Sequence, residues 1–337
     1  MRCRTERVLT MNKEKPLVSV IVPTRNRVEL LRGCLEGISV QDYSLFEVII
    51  IDDGSDEDVI TAYETMLEEF GERFKLFRSN LDSRRRMGPS VARNIGISHA
   101  SGEIIAFCDD DDFWCSADLL SVAVDALGRN DAELYFSDQQ ILRDGQIVSK
   151  TSFKNVKARL TGAQLLNESQ VYALTRKQIL CFPDYAHLNV TVAQAALLER
   201  TLGFWEETRY AEDVDLFVRL CDRANGILFR DKVCSSHNAP QRNAQDSASQ
   251  GVSQLNRRLL ENSVYSHLAA VCRSKEARRY AALSLASSSK LISQQLEQQN
   301  QLSQAALFAR LALGVRPGLK WGLYTLWLSS KAIFKGG

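Results

Sequence analysis

Two short runs rich in β-branched residues, LVSVIV at 17–22 and FEVIII at 46–51, bracket a stretch with Leu30, Leu31, Cys34, Leu35 and Ile38 at helical spacing. A strand, a helix and a second strand joined in this way lie parallel in one sheet. The alternation continues with a helix over 59–70, a strand at 75–77, a helix over 89–99 with Pro89 in its first turn, a strand at 103–108, a helix over 117–127 and a strand at 134–137. The front half is therefore expected to be a doubly wound α/β layer. Beyond Asp138 the pattern loosens into mixed short segments, then recovers over 190–202, with a helix from about Asp213 and a final strand at 227–233.

Charge divides the chain. Residues 257–337 carry 12 Lys and Arg against 3 Asp and Glu, a net +9, which leaves 1–256 at −8 and the whole at +1. So small a total excludes a nucleic-acid binder driven by bulk electrostatics. Eight scattered cysteines with no CxxC pair fit reduced thiols in the cytoplasm. The charged N-terminus lacks the apolar core of a secretion signal, and the apolar tail segment 321–328 is far short of the roughly 20 residues that span a bilayer. The expected division is an N-terminal extension (1–16), a catalytic domain (17–240), a polar linker or loop (241–255) and a basic helical region (256–337).

Four consecutive carboxylates, Asp109 to Asp112, follow the strand at 103–108 in the run CDDDDFW. Like charges this close repel, so the run calls for a cation or hydrogen-bond donors; it reads as an oxygen-ligand site for Mg²⁺ or Mn²⁺, or as a solvated loop before the next helix. Ligands of open α/β sheets bind beyond the carboxyl ends of the strands. Asp52 and Asp53 stand at such an end, and so do Pro23, Thr24, Arg25 and Arg27. Neither GxGxxG after the first strand nor a P-loop occurs, so phosphates are left to metal and side chains.

SVIVPTRNR, VIIIDDGSDE, GPSVARNIGISHASGEIIAFCDDDDFW and LLERTLGFWEETRYAEDVDLFVRL, in that order over residues 17 to about 240, resemble the family 2 glycosyltransferases. The resemblance implies a GT-A fold, a mixed and mainly parallel doubly wound sheet here followed by a helical extension. It also implies a nucleotide-sugar donor, a divalent metal (Mn²⁺ or Mg²⁺) and an inverting transfer. Pro23, Thr24, Arg25 and Arg27 would border base and ribose, and Asp53 would accept a hydrogen bond from the base. Asp52 is its neighbour or simply a turn former before Gly54. Arg93 lines the donor pocket or lies on a helix surface. Asp109 and Asp111 form the DxD pair, with Asp111 on the metal, Asp109 or Asp110 on the ribose and Asp112 supporting; the register is ambiguous by one residue.

Glu212 and Asp213 match the family's ED pair. Asp213 would be the base that deprotonates the acceptor hydroxyl, with Glu212 orienting it or binding acceptor; the bland alternative is a helix N-terminus that favours acids. His237 is a third metal ligand or a structural histidine. Gly203, Phe204 and Trp205 resemble a segment bordering the acceptor, although the usual second glycine is absent and both aromatics suit a core equally well. Arg242 could close over the diphosphate, and Arg84, Arg85 and Arg86 could attract an anionic donor. His99, His187 and His267 read as packing or surface residues.

The expected reaction moves a sugar, UDP-linked, to a hydroxyl of a glycan or lipid-linked acceptor in bacterial cell-surface polysaccharide synthesis. The rivals are a sugar nucleotidyltransferase, for which a Gly-rich N-terminal loop is missing, and a non-catalytic nucleotide- or sugar-binding scaffold. The tail 320–335, with Trp321 and Trp327 among lysines, reads as an interfacial helix on the inner face of the membrane or as a packing helix. The oligomeric state is not legible.

Overall fold

The computed structural model describes residues 15–79, 86–239 and 253–335. The extension 1–16 lies almost wholly outside them, as do the bulk of the 241–255 linker and Arg84, Arg85 and Arg242. β-Branched side chains suit strands covered on both faces, and β1 (Val18–Thr24) and β2 (Phe46–Asp52) are buried almost throughout. Between them α1 (Val28–Ser39) buries Leu31, Cys34, Leu35 and Ile38. The alternation runs on through α2 (Glu57–Leu67), β3 (Phe74–Arg78), α3 (Pro89–His99), β4 (Ile104–Phe107), the short β5 (Phe113–Trp114), α4 (Leu119–Arg129) and β6 (Leu134–Arg143).

Strands β3, β2, β1 and β4 lie parallel in that order. From β1 the chain builds outward to β2 and β3, then returns to the other side of β1 for β4. The crevice between the carboxyl ends of β1 and β4 is thus the point where strand order reverses, the place where open α/β sheets bind ligands. Helix α3 lies tight over β1: a Cβ on Gly96 would come within 2.5 Å of Ile21 Cγ2.

The second half is mixed. After β7 (Gln146–Ser149), a hairpin on β6, come α5 (Lys154–Lys157), β8 (Gln164–Leu165), β9 (Val171–Leu174) and α6 (Arg176–Ile179). β10 (Thr191–Gln194) then slots antiparallel between β4 and β6, with Val192 opposite Ala106 on one side and Tyr135 on the other. The segment 190–202, where the sequence pattern recovers, thus opens as strand and continues as α7 (Ala195–Thr201). Four residues show no period of their own, and pairing on both edges decides their state. α8 (Glu212–Arg223) leads to β11 (Ile227–Asn238), longer than expected, which runs parallel to β6 and antiparallel to β9.

The remainder is helical: α9 (Gln254–Val271), α10 (Lys275–Gln298), α11 (Leu302–Val315) and α12 (Leu319–Lys335). Ser253 and Ser274 cap α9 and α10 by accepting from Asn256 N and Ala277 N. Val264, Leu268, Tyr280 and Ala281 belong to the same apolar cluster as Phe217 and Leu220 of α8, so the first two of these helices share the core of the sheet layer. A separate small core around Ile292, Leu296, Ala305, Ala309 and Leu328 holds α11 and α12.

Candidate active site

The acidic run leaves β4 at the reversal point, and each of its carboxylates is held differently. Asp110 accepts from Thr24 Oγ1 at 2.9 Å and from Arg27 Nη1 at 2.9 Å, which ties the ends of β1 and β4 together. Asp111 also meets Arg27 Nη1, at 3.0 Å, and with 40% of its side chain exposed it stands the most open of the four. Asp109 takes Arg93 Nη2 at 2.6 Å. Asp112 is fully enclosed: Asn238 N donates to its Oδ1 at 2.6 Å, and Asn189 Nδ2 and His237 Nδ1 meet its Oδ2. Burial, and then the neighbouring Asp112, Asp110 and Asp109, push Asp111 up to about 7 although Arg27 pulls the other way. The cluster resists carrying all its negative charge and favours a cation among its oxygens.

Two imidazoles join it. His187, just before β10, sets Nδ1 3.9 Å from Asp112 Oδ2 and Nε2 3.8 Å from Asp109 Oδ2, and its ring lies 4.6 Å from that of His237. One ligand atom from each of Asp112, His187 and His237 falls within 4.8 Å of the others. His187 Nδ1 is buried with no hydrogen-bond partner, so a donor atom faces the cluster unused. Burial lowers the His237 pKa, but Asp112, then Asp109 and Asp111, outweigh it and raise the value above the ordinary. A carboxylate with two imidazoles is a donor set that fits a divalent transition metal, so the residues present fit a bound dication.

Arg93 is the hub. It is buried under α3, not spread on a helix surface, and donates to Asp109 through Nη2 and to Glu212 Oε1 through Nη1 at 3.0 Å, with Phe204 5.4 Å beneath the guanidinium. One cation thereby joins the acidic run to the start of α8. Asp213, next in line, has its pKa raised by burial and then by Glu212, with His187, the Val214 N–H and Arg93 opposing. Around it stand three tyrosines. The Tyr185 hydroxyl is pushed far up by Asp213, then by burial, Tyr210, Tyr265 and Glu212, and burial raises Tyr210 and Tyr265, so all three stay protonated.

The Gly203 segment is built around Asn94, whose side chain donates to Phe204 O at 3.0 Å and accepts from Phe204 N at 2.8 Å. Gly203 has φ 60°, and a Cβ there would lie 2.5 Å from Asn94 Oδ1, so both backbone and space demand glycine. Phe204 is core. One face of Trp205 stacks on His267 of α9, ring centroids 4.0 Å apart, and His267 Nδ1 pairs with the buried Asp215 at 2.8 Å. Arg219 holds the other oxygen of Asp215 and donates to the carbonyls of Thr201 and Gly203.

At the end of β2, Asp52 accepts from Gly54 N and Ser55 N, the bonding of a turn former. Asp53 accepts from Ser79 Oγ, Met87 N and Gly88 N, with Arg86 at 3.9 Å, and so anchors the far end of the loop before α3. Arg25 lies outward and donates to Gly54 O. Pro23, one residue before the end of β1, lies opposite Ile51. The crevice thus gathers Thr24, Arg27, Arg93, Asp109 to Asp112, Glu212, Asp213 and His237, while Asp52 and Arg25 serve the neighbouring turn. Sequence reasoning passed over His187, His267 and the three tyrosines. His187 carries only one signal, its place shortly before a segment that joins the sheet.

Residues 19–180 match the family model described as glycosyl transferase family 2. A curated relative from Campylobacter jejuni, a GalNAc(5)-diNAcBac-PP-undecaprenol beta-1,3-glucosyltransferase, is 35% identical over 42% of this chain and 44% of its own, so the chain spans less than half of that relative's length. Among solved structures, S. aureus TarS 1-349 in complex with UDP-GlcNAc superposes with a TM-score of 0.64 at 20% identity, covering 88% of this chain and 81% of that one. The mannosyltransferase PcManGT from Pyrobaculum calidifontis, in complex with GDP-Man and Mn²⁺, gives 0.58 at 19% identity over 96% and 82%. At these identities the likeness to solved structures is one of fold.

Proposed function

We propose, on the premise that this chain belongs to glycosyltransferase family 2 and has its GT-A fold, that it moves a sugar from a UDP-linked donor to a hydroxyl of a lipid-linked glycan. The transfer inverts the anomeric carbon and serves cell-surface polysaccharide assembly in a bacterium. The observation that carries this reading is the Arg93 bridge, which sets Asp109 and Glu212 on one guanidinium and so turns the acidic run and the ED pair toward a single crevice.

Asp213 accepts the proton of the acceptor hydroxyl as that oxygen attacks, and a carboxylate whose pKa is raised is better matched to this task near neutral pH. Glu212, pinned by Arg93, orients the hydroxyl, and Trp205 with Tyr185, Tyr210 and Tyr265 borders the acceptor. Pro23, Thr24, Arg27 and Asp53 border base and ribose, with Arg25 and Asp52 shaping the turn beside them; Asp109, Asp110 and Arg93 border ribose and diphosphate. Asp111, Asp112, His187 and His237 are the side chains that would hold the dication, with Asp109 at their edge. When bound, the ion neutralises charge growing on the departing diphosphate. Nitrogen donors suit Mn²⁺ better than Mg²⁺, and Mn²⁺ accompanies the Pyrobaculum calidifontis fold neighbour.

The Campylobacter jejuni relative supports a diphosphate-lipid acceptor. Among the described residues no helix is long and apolar enough to cross a membrane, and on this reading the acceptor is met at the inner face of the cytoplasmic membrane. Residues 17–240 form the catalytic unit on this reading, and 256–337 a helical unit fastened to it through His267 and Asp215.

UDP release from UDP-glucose and UDP-GlcNAc, with Mn²⁺ and after chelation, tests the reading. Wild-type protein is expected to release UDP slowly with Mn²⁺ alone, and Asp213→Asn to lose about a thousandfold of that rate while still binding UDP. Pyrophosphate release from UTP and a sugar phosphate would make the protein a nucleotidyltransferase instead, and failure to bind any nucleotide would make it a scaffold.

A further inference from the structure

Helix α12 is apolar on two opposite sides. Its inner side is committed: Leu328 and Thr325 are buried, Trp321 Nε1 donates to Ala309 O at 2.9 Å, and Tyr324 OH donates to Glu297 at 2.7 Å. Its outer side carries Leu319, Leu323, Leu326, Trp327, Ile333 and Phe334, exposed by 50% at Trp327 up to 86% at Phe334. At 100° per residue these six fall within roughly 120° of the helix circumference, one continuous stripe about 25 Å long. A stripe of large side chains left in water costs free energy unless something covers it.

Charge identifies the cover. No acidic residue follows Glu297, whereas Arg310, Arg316, Lys320, Lys331 and Lys335 do. Lys320 and Lys331 fall at the edge of the stripe, and Lys331 lies 4.5 Å over the Trp327 ring. At the N-terminal end of α12 opens a hollow of about 400 Å³, lined by Lys290, Gly318, Leu319, Lys320, Trp321 and Tyr324, with Lys290 5.1 Å over the Trp321 ring. Two ammonium groups and two amphipathic rings in a recess beside an apolar stripe suit a lipid headgroup phosphate above its acyl chains.

We infer that the outer face of α12 docks on an anionic bilayer, lying flat in the interface with its stripe in the acyl boundary and a headgroup phosphate between Lys290 and Lys320. A second copy of the chain fits less well, because a two-fold contact sets like against like and would press two basic rims together, where Lys331 is met by its own Glu297 at 3.2 Å and no acid follows Glu297 to pair Lys320 of the facing copy. The inference deepens the proposed function, since a lipid-linked acceptor has to be reached at a membrane surface, and it rests on that reading only for its purpose.

Flotation of the full chain with vesicles of phosphatidylcholine, alone or with about one third phosphatidylglycerol, provides the test. The wild type is expected to float with the anionic vesicles, to float less with the neutral ones, and to be released by salt. Leu323→Glu with Leu326→Glu abolishes flotation. Lys290→Gln with Lys320→Gln lowers affinity for anionic vesicles by roughly 25-fold, at about fivefold for each basic residue removed. Circular dichroism checks that both variants fold, and the lysine pair keeps the test decisive if the glutamates disturb α12. The inference is overturned if wild-type protein ignores anionic vesicles, if both variants float as it does, or if gel filtration reveals a dimer that the glutamate pair dissolves. UDP release in vesicle-free buffer should be equal in wild type and variants. Its absence from all of them, with flotation intact, would sink the transferase reading and leave the docking face standing.

Discussion

The crevice at the ends of β1 and β4 and the outer face of α12 use opposite means to prepare for a partner. At the crevice each carboxylate of the acidic run has a donor supplied by a distant part of the chain: Thr24 and Arg27, Arg93, Asn238 and His237. The side chains there are pre-positioned, and on the proposed reading they leave a place for positive charge and a phosphate. On α12 the outer apolar side chains are left half or more exposed by the rest of the protein. Pre-organised polar groups give orientation and chemistry, whereas an uncovered apolar stripe gives attachment with little angular demand. Catalysis and anchorage can thus be damaged separately.

The largest effect should come from the crevice. Arg93→Met removes the counter-charge from Asp109 and Glu212 together, and loss of one partner of a buried pair costs about 3 to 5 kcal/mol. Urea unfolding measures it, and a loss below about 1 kcal/mol would show the bridge to be no more than a surface pair. Next, His187→Ala and His237→Ala should each weaken Mn²⁺ binding by at least about tenfold in calorimetric titration, with the fold intact; equal affinity in all three proteins would remove the imidazoles from the site.

A smaller effect is expected where the two regions meet. His267→Ala breaks the bond to Asp215 and the stack on Trp205, and should lower unfolding free energy by about 1 to 2 kcal/mol. An unchanged urea midpoint would mean that α9 only leans on α8.

The smallest effect concerns acid. Asp222, near the end of α8, accepts from Arg273 N at 2.9 Å and Ser274 N at 2.7 Å at the start of α10. Burial raises its pKa, but Ser274, the two backbone N–H groups and Arg176 outweigh that and hold it below the ordinary value. A depressed folded-state pKa contributes stability that is full above the unfolded value, about 3.9, and is lost as pH falls through the folded one. Wild type should therefore exceed Asp222→Asn by less than about 1 kcal/mol near pH 7, and the gap should close below about pH 4. A gap that is constant with pH would refute the titration.

The parallel half of the sheet was legible because β1, β2 and β4 are covered on both faces and so read as unbroken apolar runs. The acidic run and the ED pair were legible because each is compact in sequence. What sequence could not reveal depends on contacts between remote segments. His187 owes its place to β10, whose four residues carry no periodicity and whose state is decided by two neighbouring strands. His267 reaches Asp215 and Tyr265 nears Asp213 only because α9 packs on α8, and nothing in the sequence of that helix announces where its polar side chains will land.

The late arrival of β10 bears on how the protein is made. Asp109 N is held by Asn189 Oδ1, and Asp112 by Asn189 and His237, all from chain that follows residue 180, where the family match stops. A nascent chain that has just emerged to that point can pair its first four strands and hold Asp109, Asp110 and Asp111 through Arg93, Thr24 and Arg27, yet it leaves Asp112 without Asn189, His237 and Asn238. Closing so long a loop is slow relative to local pairing. Fragments cut at the boundary of the recognisable homology should therefore aggregate or stay partly open, and full-length synthesis is the condition for a finished crevice.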